Sequence, residues 1–99
     1  MKIIKRSGSE DIFDAAKIVA AIRKANDSVL DYEKVTADQI EEIASNVETA
    51  CENMKRSPSV EEIQDMVENQ IMSQKAFNVA RNYITYRYKR ELVRKSNST

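Results

Sequence analysis

The 99-residue sequence predicts an α+β fold that is mainly α, in which a four-helix bundle is capped by a small two- or three-stranded β-sheet. The chain contains one glycine and one proline, a composition that favours long helices over a turn-rich β protein. Apolar residues recur at helical spacing in four stretches, whereas β-branched residues flank a strong turn signal at Ser7-Gly8. A bundle without the sheet is the alternative.

The N-terminal segment predicts a tight hairpin that leads directly into a helix. Residues 3–4 are β-branched and suit a first strand, and residues 12–13 suit a second strand after the turn. Asp14 is typical of a helix N-cap because its side chain can accept a hydrogen bond from the first turn. We therefore expect the first helix over residues 15–25.

Two capping boxes predict where the next two helices begin. Thr36 is followed three residues later by Gln39, and Ser59 stands in the same relation to Glu62. Pro58 disfavours helical geometry in the residue before it, so the link at this point ends the second helix and could add a third strand. The predicted core positions are Ile40, Ile43, Ala44, Val47, Ala50, Cys51 and Met54 in the second helix, and Ile63, Met66, Val67 and Ile71 in the third.

A last helix is predicted over residues 76–94, followed by a frayed polar tail. Its expected core face consists of Phe77, Ala80, Ile84 and Tyr88, with Leu92 as a further candidate and Tyr83 and Tyr86 at the flanks. In the link between the first two helices, the residues expected to tuck under the bundle are Val29, Leu30 and Tyr32.

The composition argues against several classes of protein. The chain has no histidine and one cysteine, so a zinc site and the usual catalytic triads are not expected. No apolar run approaches the roughly 18 residues of a membrane span, and the N-terminus does not read as a signal peptide. Cys51 cannot form an intramolecular disulfide, which favours a reducing, cytoplasmic location, and its place on an apolar stripe predicts a small buried side chain.

The charges are unevenly distributed although the net charge is zero. Residues 1–24 hold six basic and three acidic groups, residues 27–68 hold three and twelve, and residues 75–99 hold seven and one. If the fold brings the two ends together, they form one cationic site beside a turn and a helix start, which suits a polyanion. Solvated helix faces are the alternative explanation.

Three stretches of the chain follow one another in a specific order and spacing. They are Lys5-Arg6-Ser7-Gly8 with Asp11, Phe13 and Lys17-Ile18; residues 59–68; and residues 79–87. In this order they resemble the ATP-cone, the regulatory nucleotide-binding domain of ribonucleotide reductases. The resemblance covers roughly residues 2–92.

The resemblance implies a domain that binds ATP or dATP between its sheet and its helices, with Mg²⁺ on the phosphates, and that catalyses nothing itself. It implies control of the catalytic domain or subunits of a ribonucleotide reductase, and it allows for homo-oligomers. The chain most resembles the anaerobic ribonucleoside-triphosphate reductase, with the large subunit of the aerobic enzyme as the alternative. We expect an excised N-terminal domain, a free-standing cone being the less frequent arrangement, with the cone at residues 1–95 and a polar tail at 96–99. The alternative is a helical protein- or nucleic-acid-interaction module, such as the regulatory part of a transcriptional repressor.

Carried over by position, the resemblance implies which side chains meet the phosphates. Lys5 and Arg6 match a phosphate-contacting pair on the first strand. Lys17 matches a helix-one lysine near the nucleotide, and Lys89 matches a helix-four cation that closes over the triphosphate. These cations come from both ends of the chain, in agreement with the charge distribution.

The resemblance also implies contacts to the base and the sugar. Asp11 and Asp14 fall at positions that meet the adenine, where a carboxylate can accept a hydrogen bond from the exocyclic amine. Family members often have Glu at the position of Asp11 and Asp at that of Ser7. The remaining implied site residues are Ile3, Ile18 and Ile63 around the base and sugar, and Val60 and Gln64 at the start of the third helix.

Overall fold

A computed structural model describes the backbone of residues 1–96 and the side chains of residues 1–90. The elements are β1 (Lys2–Ile4), β2 (Glu10–Ile12), α1 (Ala15–Asn26), a 3-10 turn (Asp31–Glu33), α2 (Ala37–Glu52), α3 (Val60–Ser73) and α4 (Phe77–Ser96). The predicted α+β, mainly α class and its four helices are therefore confirmed. Of the predicted tail, Ser96 ends α4, and residues 97–99 lie outside the described part of the chain.

The hairpin forms where the turn signal predicts it, although its second strand is Glu10–Ile12 instead of residues 12–13. β1 and β2 pair antiparallel, with Ile3 opposite Asp11. The turn is closed by a 2.9 Å hydrogen bond from the Gly8 N–H to the Lys5 carbonyl, and Gly8 has φ +87°. Glycine adopts this left-handed geometry without strain, which explains why the only glycine of the sequence stands here.

The link between α2 and α3 contributes a single bridge to the sheet instead of a third strand. The Ile4 N–H donates to the Pro58 carbonyl at 2.9 Å, and Ile4 forms an isolated parallel bridge with Ser59. Pro58 has no N–H to continue the ladder, and Ser59 already caps α3. Within the described residues the sheet therefore has two strands.

Both predicted capping boxes are confirmed. The Thr36 hydroxyl accepts from the Gln39 N–H at 3.1 Å, and the Gln39 side chain accepts from the Thr36 N–H at 2.7 Å. Ser59 and Glu62 repeat this pattern at 3.1 and 3.0 Å. Arg56 adds a two-pronged contact to the Glu62 carboxylate, at 2.7 and 2.6 Å, so the link and the start of α3 are held together.

Each helix packs against two others, because α1 contacts α2 and α4 while α3 contacts the same two helices. The shared interior contains residues of all four helices together with Val35. Cys51 is buried in it, as its position on the apolar stripe predicted. The buried apolar side chains are Ile18, Ile22, Ala25, Val35, Ile40, Ile43, Ala44, Val47, Cys51, Ile63, Val67, Ile71, Val79, Ala80 and Tyr83.

The predicted core face of α4 is correct at Ala80, which is buried, but wrong at its other described members, because the helix is rotated about its axis relative to the prediction. Phe77 and Tyr88 are 63% and 61% exposed, and Ile84 is also exposed. Val79 and Tyr83 are buried in their place. Leu92, the further candidate, lies beyond the described side chains.

Polar contacts between helices explain this rotation of α4. The Asn82 amide donates to the Ala25 carbonyl at the end of α1, at 3.1 Å. Arg87 donates to Asp65 at 2.8 Å and to Glu68 at 2.6 Å, both on α3. These contacts turn the face that contains Tyr83 inward, and apolar periodicity alone contains no information about them.

Two smaller core predictions are also wrong. Leu30 and Tyr32 are exposed instead of tucked under the bundle, and Ala50 faces solvent on α2. The Asn26 side chain donates to the Val35 carbonyl at 2.9 Å and accepts from the Val35 N–H at 3.0 Å. This clamp joins the two ends of the link, so Leu30 and Tyr32 between them loop outward, whereas Val29 is half-buried against the core, as predicted.

We predict that Glu62 makes the stability of the domain sensitive to acid. Hydrogen bonds from Arg56 and from the Ser59 N–H lower the pKa of Glu62 from 4.5 to about 2. A carboxyl whose pKa is lowered by folding stabilises the protein above its ordinary pKa, and that contribution is lost as the pH falls from about 4.5 to about 2. Glu62→Gln preserves the capping box but removes the titrating carboxyl group. As the pH is lowered, the free energy of unfolding of this variant, measured by urea denaturation, should therefore decrease less steeply than that of wild type.

Glu42→Gln is the matched control for this prediction, because it removes an equal charge at an exposed position of α2. It should keep the wild-type pH dependence. An equally steep acid loss in Glu62→Gln and in wild type would contradict the role assigned to the Arg56–Glu62 contact.

A second prediction concerns the end of α3. Lys75 follows the C-cap residue Gln74 and has φ 62°, a left-handed conformation that side chains with a Cβ disfavour. Lys75→Gly should therefore raise the free energy of unfolding by about 1 kcal/mol, measured in urea. Lys75→Ala removes the same charge but keeps the Cβ, and should give no such gain. Equal stabilities of the two variants would refute strain as the cause.

Candidate functional site

A cavity of about 900 Å³ lies between the hairpin and the helices α1, α3 and α4. This volume is within the usual range for sites that bind small molecules and cofactors. The hairpin and α1 come from the N-terminal part of the chain, and α4 comes from the C-terminal part. The fold therefore brings the two basic ends of the sequence to one cavity.

The residues that the resemblance implies for a nucleotide site converge here, with one exception. Lys89 is exposed on α4 and does not line the cavity. On α4 the cationic lining residues are Arg87 and Arg90. The implied residues that do line it are Ile3, Lys5, Arg6, Asp11, Asp14, Lys17, Ile18, Val60, Ile63 and Gln64.

The sequence analysis missed Arg87 and Arg90 as site residues, together with Lys24 of α1 and Tyr83 and Tyr86 of α4. Residues three and four apart share a helix face, so Tyr83, Arg87 and Arg90 lie along one side of α4. A predicted core face centred on Tyr83 would have indicated Arg87 and Arg90 as candidate site residues. The prediction instead centred the face on Ile84, one residue further along the helix.

The wall of the cavity is strongly cationic. Its lining includes six basic and two acidic side chains, Asp11 and Asp14 being the acidic ones. Apolar side chains from the hairpin, α1 and α3 make up much of the remaining surface. A pocket with cations at its rim and apolar residues inside suits a ligand that has an anionic part and a flat apolar part.

Asp11 connects two of these cations on the hairpin side. Its Oδ2 lies 3.8 Å from Lys5 Nζ and 3.9 Å from Lys17 Nζ. Its Oδ1 accepts a 2.8 Å hydrogen bond from the Ile12 N–H. That hydrogen bond is the main cause of a lowered pKa of Asp11, and the two lysines lower it further. Asp11 is therefore an ionised acceptor at the mouth of the cavity.

Another part of the cavity lining is built around the aromatic ring of Tyr86. Lys24 Nζ lies 4.8 Å from the centre of the Tyr86 ring, and the Arg90 guanidinium lies 5.9 Å from it. Arg90 also donates to the Tyr86 hydroxyl at 3.2 Å, which lowers the pKa of that tyrosine. Burial raises the pKa of Tyr83 to about 12, so its hydroxyl stays neutral.

Gln64 supplies an acceptor without a partner. Its Oε1 is buried and has no hydrogen-bond partner among the described residues. A buried amide oxygen left unpaired costs free energy, so a ligand N–H or O–H at this place would be favoured. In the part of the chain that the structure describes, no three His, Cys, Asp or Glu side chains cluster in a way that could hold a metal ion.

The same part of the chain contains no helix with the length and apolar character needed to span a bilayer.

Comparison with known proteins identifies the family. The ATP cone domain family matches residues 1–92. The chain belongs to the ATP-cone family. The resemblance stated from the sequence is therefore confirmed over almost the whole chain.

Relatives of this ATP cone are ribonucleotide reductases. It is 38% identical to the vitamin B12-dependent ribonucleoside-diphosphate reductase of Thermoplasma acidophilum over 98 residues, which cover 94% of this chain and 12% of that protein. It is 33% identical to the ribonucleoside-diphosphate reductase subunit alpha of Chlamydia trachomatis over 102 residues, which cover 95% of this chain and 10% of that protein. The anaerobic ribonucleoside-triphosphate reductase of Haemophilus influenzae is 33% identical over 97 residues, which cover 97% of this chain and 13% of that protein. The chain thus spans about a tenth of the length of these relatives.

We predict that Asp14 stabilises the first helix whether or not a ligand is bound. Its carboxylate accepts from the Ala16 N–H at 3.0 Å and caps α1. Asp14→Ala should lower the free energy of unfolding by about 1 kcal/mol, whereas Asp14→Asn should preserve most of it because Asn is also a good N-cap. Urea denaturation without ligand measures both. Equal losses in the two variants would contradict the capping role.

Proposed function

We propose that this ATP cone is an allosteric module that binds ATP or dATP and controls the overall activity of a ribonucleotide reductase. The observation that carries the proposal is the cationic cavity that joins the two ends of the chain, in a protein of this family. The domain itself is proposed to regulate and not to catalyse, the parent protein being an oxidoreductase of deoxyribonucleotide synthesis. The cone would occupy residues 1–95, with a tail at 96–99.

The phosphates would bind at the cationic side of the cavity. Lys5, Arg6 and Lys17 approach it from the hairpin and α1, and Arg87 and Arg90 approach it from α4. A hydrogen bond to a charged group contributes on the order of 1.5–3 kcal/mol. Three or four such contacts together with a buried base give roughly micromolar affinity, about −8 kcal/mol.

The base and sugar would bind among Ile3, Ile18 and Ile63, with Val60 beside them. Asp11 is an acceptor suited to the exocyclic amine of adenine. Guanine has a carbonyl at the corresponding place, which a carboxylate would repel. The proposed preference is therefore for adenine over guanine nucleotides.

Mg²⁺ would arrive with the phosphates, since this ion uses substrate oxygens and water with few protein ligands. ATP and dATP differ by one hydroxyl, and a site separates them strongly only if its polar groups pair with that hydroxyl. The unpaired Gln64 oxygen is one candidate partner for it.

Regulation would act through association with other protein surfaces. The partners proposed are the catalytic domain or subunits of the reductase, and further copies of the cone, in the cytoplasm. Coupling between an effector site and a distant site is typically about 1–3 kcal/mol. The acidic outer face of α2, which includes Glu41 and Glu48, is a candidate contact surface.

Titration of the domain with ATP, dATP and GTP by isothermal calorimetry tests the proposal. Lys5→Ala and Arg6→Ala should each weaken ATP binding by about tenfold or more, because each removes a charged donor from the phosphates. Their helix content by circular dichroism should match wild type. Equal affinities for ATP and GTP, or undiminished ATP affinity in both variants, would contradict the proposed site.

A matched pair of variants on α4 tests which cation contacts the phosphates. The resemblance implies Lys89, whereas the cavity is lined by Arg90. Arg90→Ala should therefore weaken ATP binding about tenfold while Lys89→Ala stays close to wild type. The reverse order would favour the assignment by resemblance over the one by geometry.

A further inference from the structure

Arg6 lines the cavity, and its guanidinium also forms an ion pair with Glu61 of α3. Its Nε lies 3.0 Å from Glu61 Oε1. The Arg6 side chain is 29% exposed and that of Glu61 is 39% exposed. Glu61 itself is not among the residues that line the cavity.

A phosphate is a stronger partner for Arg6 than this carboxylate. Ion pairs with this degree of exposure are weak, because water screens them and both side chains lose freedom. A terminal phosphate has up to two negative charges and three acceptor oxygens, which match the planar donor fork of arginine. Glu61 would nevertheless oppose binding, because it occupies a donor of Arg6 that the phosphate would otherwise use.

Release of Glu61 would leave the fold unchanged. The hairpin stays docked through the Ile4 N–H, which donates to the Pro58 carbonyl at 2.9 Å. Glu61 lies in the first turn of α3, where the helix dipole favours a carboxylate even without Arg6. An exchange of partners at Arg6 is therefore confined to side chains.

We infer that Glu61 sets the affinity of the site by competing with nucleotide phosphates for Arg6. The inference rests on the proposed function, since it takes the polyphosphate of an adenine nucleotide as the competing anion. Asp11 is a different case, because it holds Lys5 and Lys17 and is proposed to face the base. Glu61 has no contact with the ligand in this scheme and acts only through Arg6.

Glu61→Gln tests the inference, because glutamine keeps the shape of the side chain and removes its charge. Calorimetry at fixed ionic strength should show ATP and inorganic tripolyphosphate bound roughly fivefold more tightly than by wild type. Adenosine, which has no phosphate, should bind with unchanged affinity. Glu42→Gln is the matched control, since it removes the same charge at an exposed site on α2 and should leave ATP affinity near wild type.

A double-mutant cycle shows whether the gain depends on Arg6. In an Arg6→Ala background, Glu61→Gln should improve ATP binding no more than Glu42→Gln does. A full fivefold gain in ATP affinity in that background would show that Glu61 does not act through Arg6 and would overturn the inference. ATP affinity that is unchanged or weaker in the single Glu61→Gln variant would overturn the inference alone, provided that wild type binds ATP. If neither protein binds ATP or tripolyphosphate, the proposed function fails as well. If Glu61→Gln binds ATP or tripolyphosphate and the wild-type domain binds neither, that result would support the inference.

Discussion

One backbone hydrogen bond ties the hairpin to the helical part of this molecule. The Ile4 N–H donates to the carbonyl of the buried Pro58, and this contact attaches the hairpin to the link before α3. A two-stranded hairpin is marginally stable alone, so it depends on such a contact and on the packing of Ile3 and Phe13 against the core. The cavity is the space left between the docked hairpin and the helices. Its position therefore follows from where the hairpin is attached.

Internal ion pairs arrange the cations of the cavity. Asp11 lies between two lysines, Glu61 contacts Arg6, and two acids of α3 hold Arg87. Such pairs orient the cationic side chains, and the proposed nucleotide would have to exchange or share them. Its affinity would then be a difference between two sets of electrostatic contacts, so a neutral overall charge does not argue against the proposed binding of a polyanion.

Local signals were the most predictable from sequence. The capping boxes at Thr36 and Ser59, and the turn at Gly8, each depend on a few neighbouring residues, and all three were predicted correctly. Whether the link would add a third strand or only the single bridge at Ser59 could not be decided from the sequence, because the outcome depends on how far Pro58 lies from the first strand in space.

The rotation of α4 was the main error, and it affected the site as well as the core. Apolar residues occur on more than one side of this helix, so periodicity alone does not select a face. The choice depends on Asn82 and Arg87, whose partners are distant in sequence. The same rotation brings Arg90 to the cavity instead of Lys89. The site residues on the hairpin, α1 and α3 were identified through resemblance, and their roles stay predictions.

The buried thiol of Cys51 has a practical consequence. It is 2% exposed, lies 3.9 Å from the Met66 sulfur, and burial raises its pKa, so both access and thiolate formation are suppressed in the native state. The sequence contains no other cysteine. The rate at which a maleimide modifies this chain therefore reports how often the helices separate, without any engineered label.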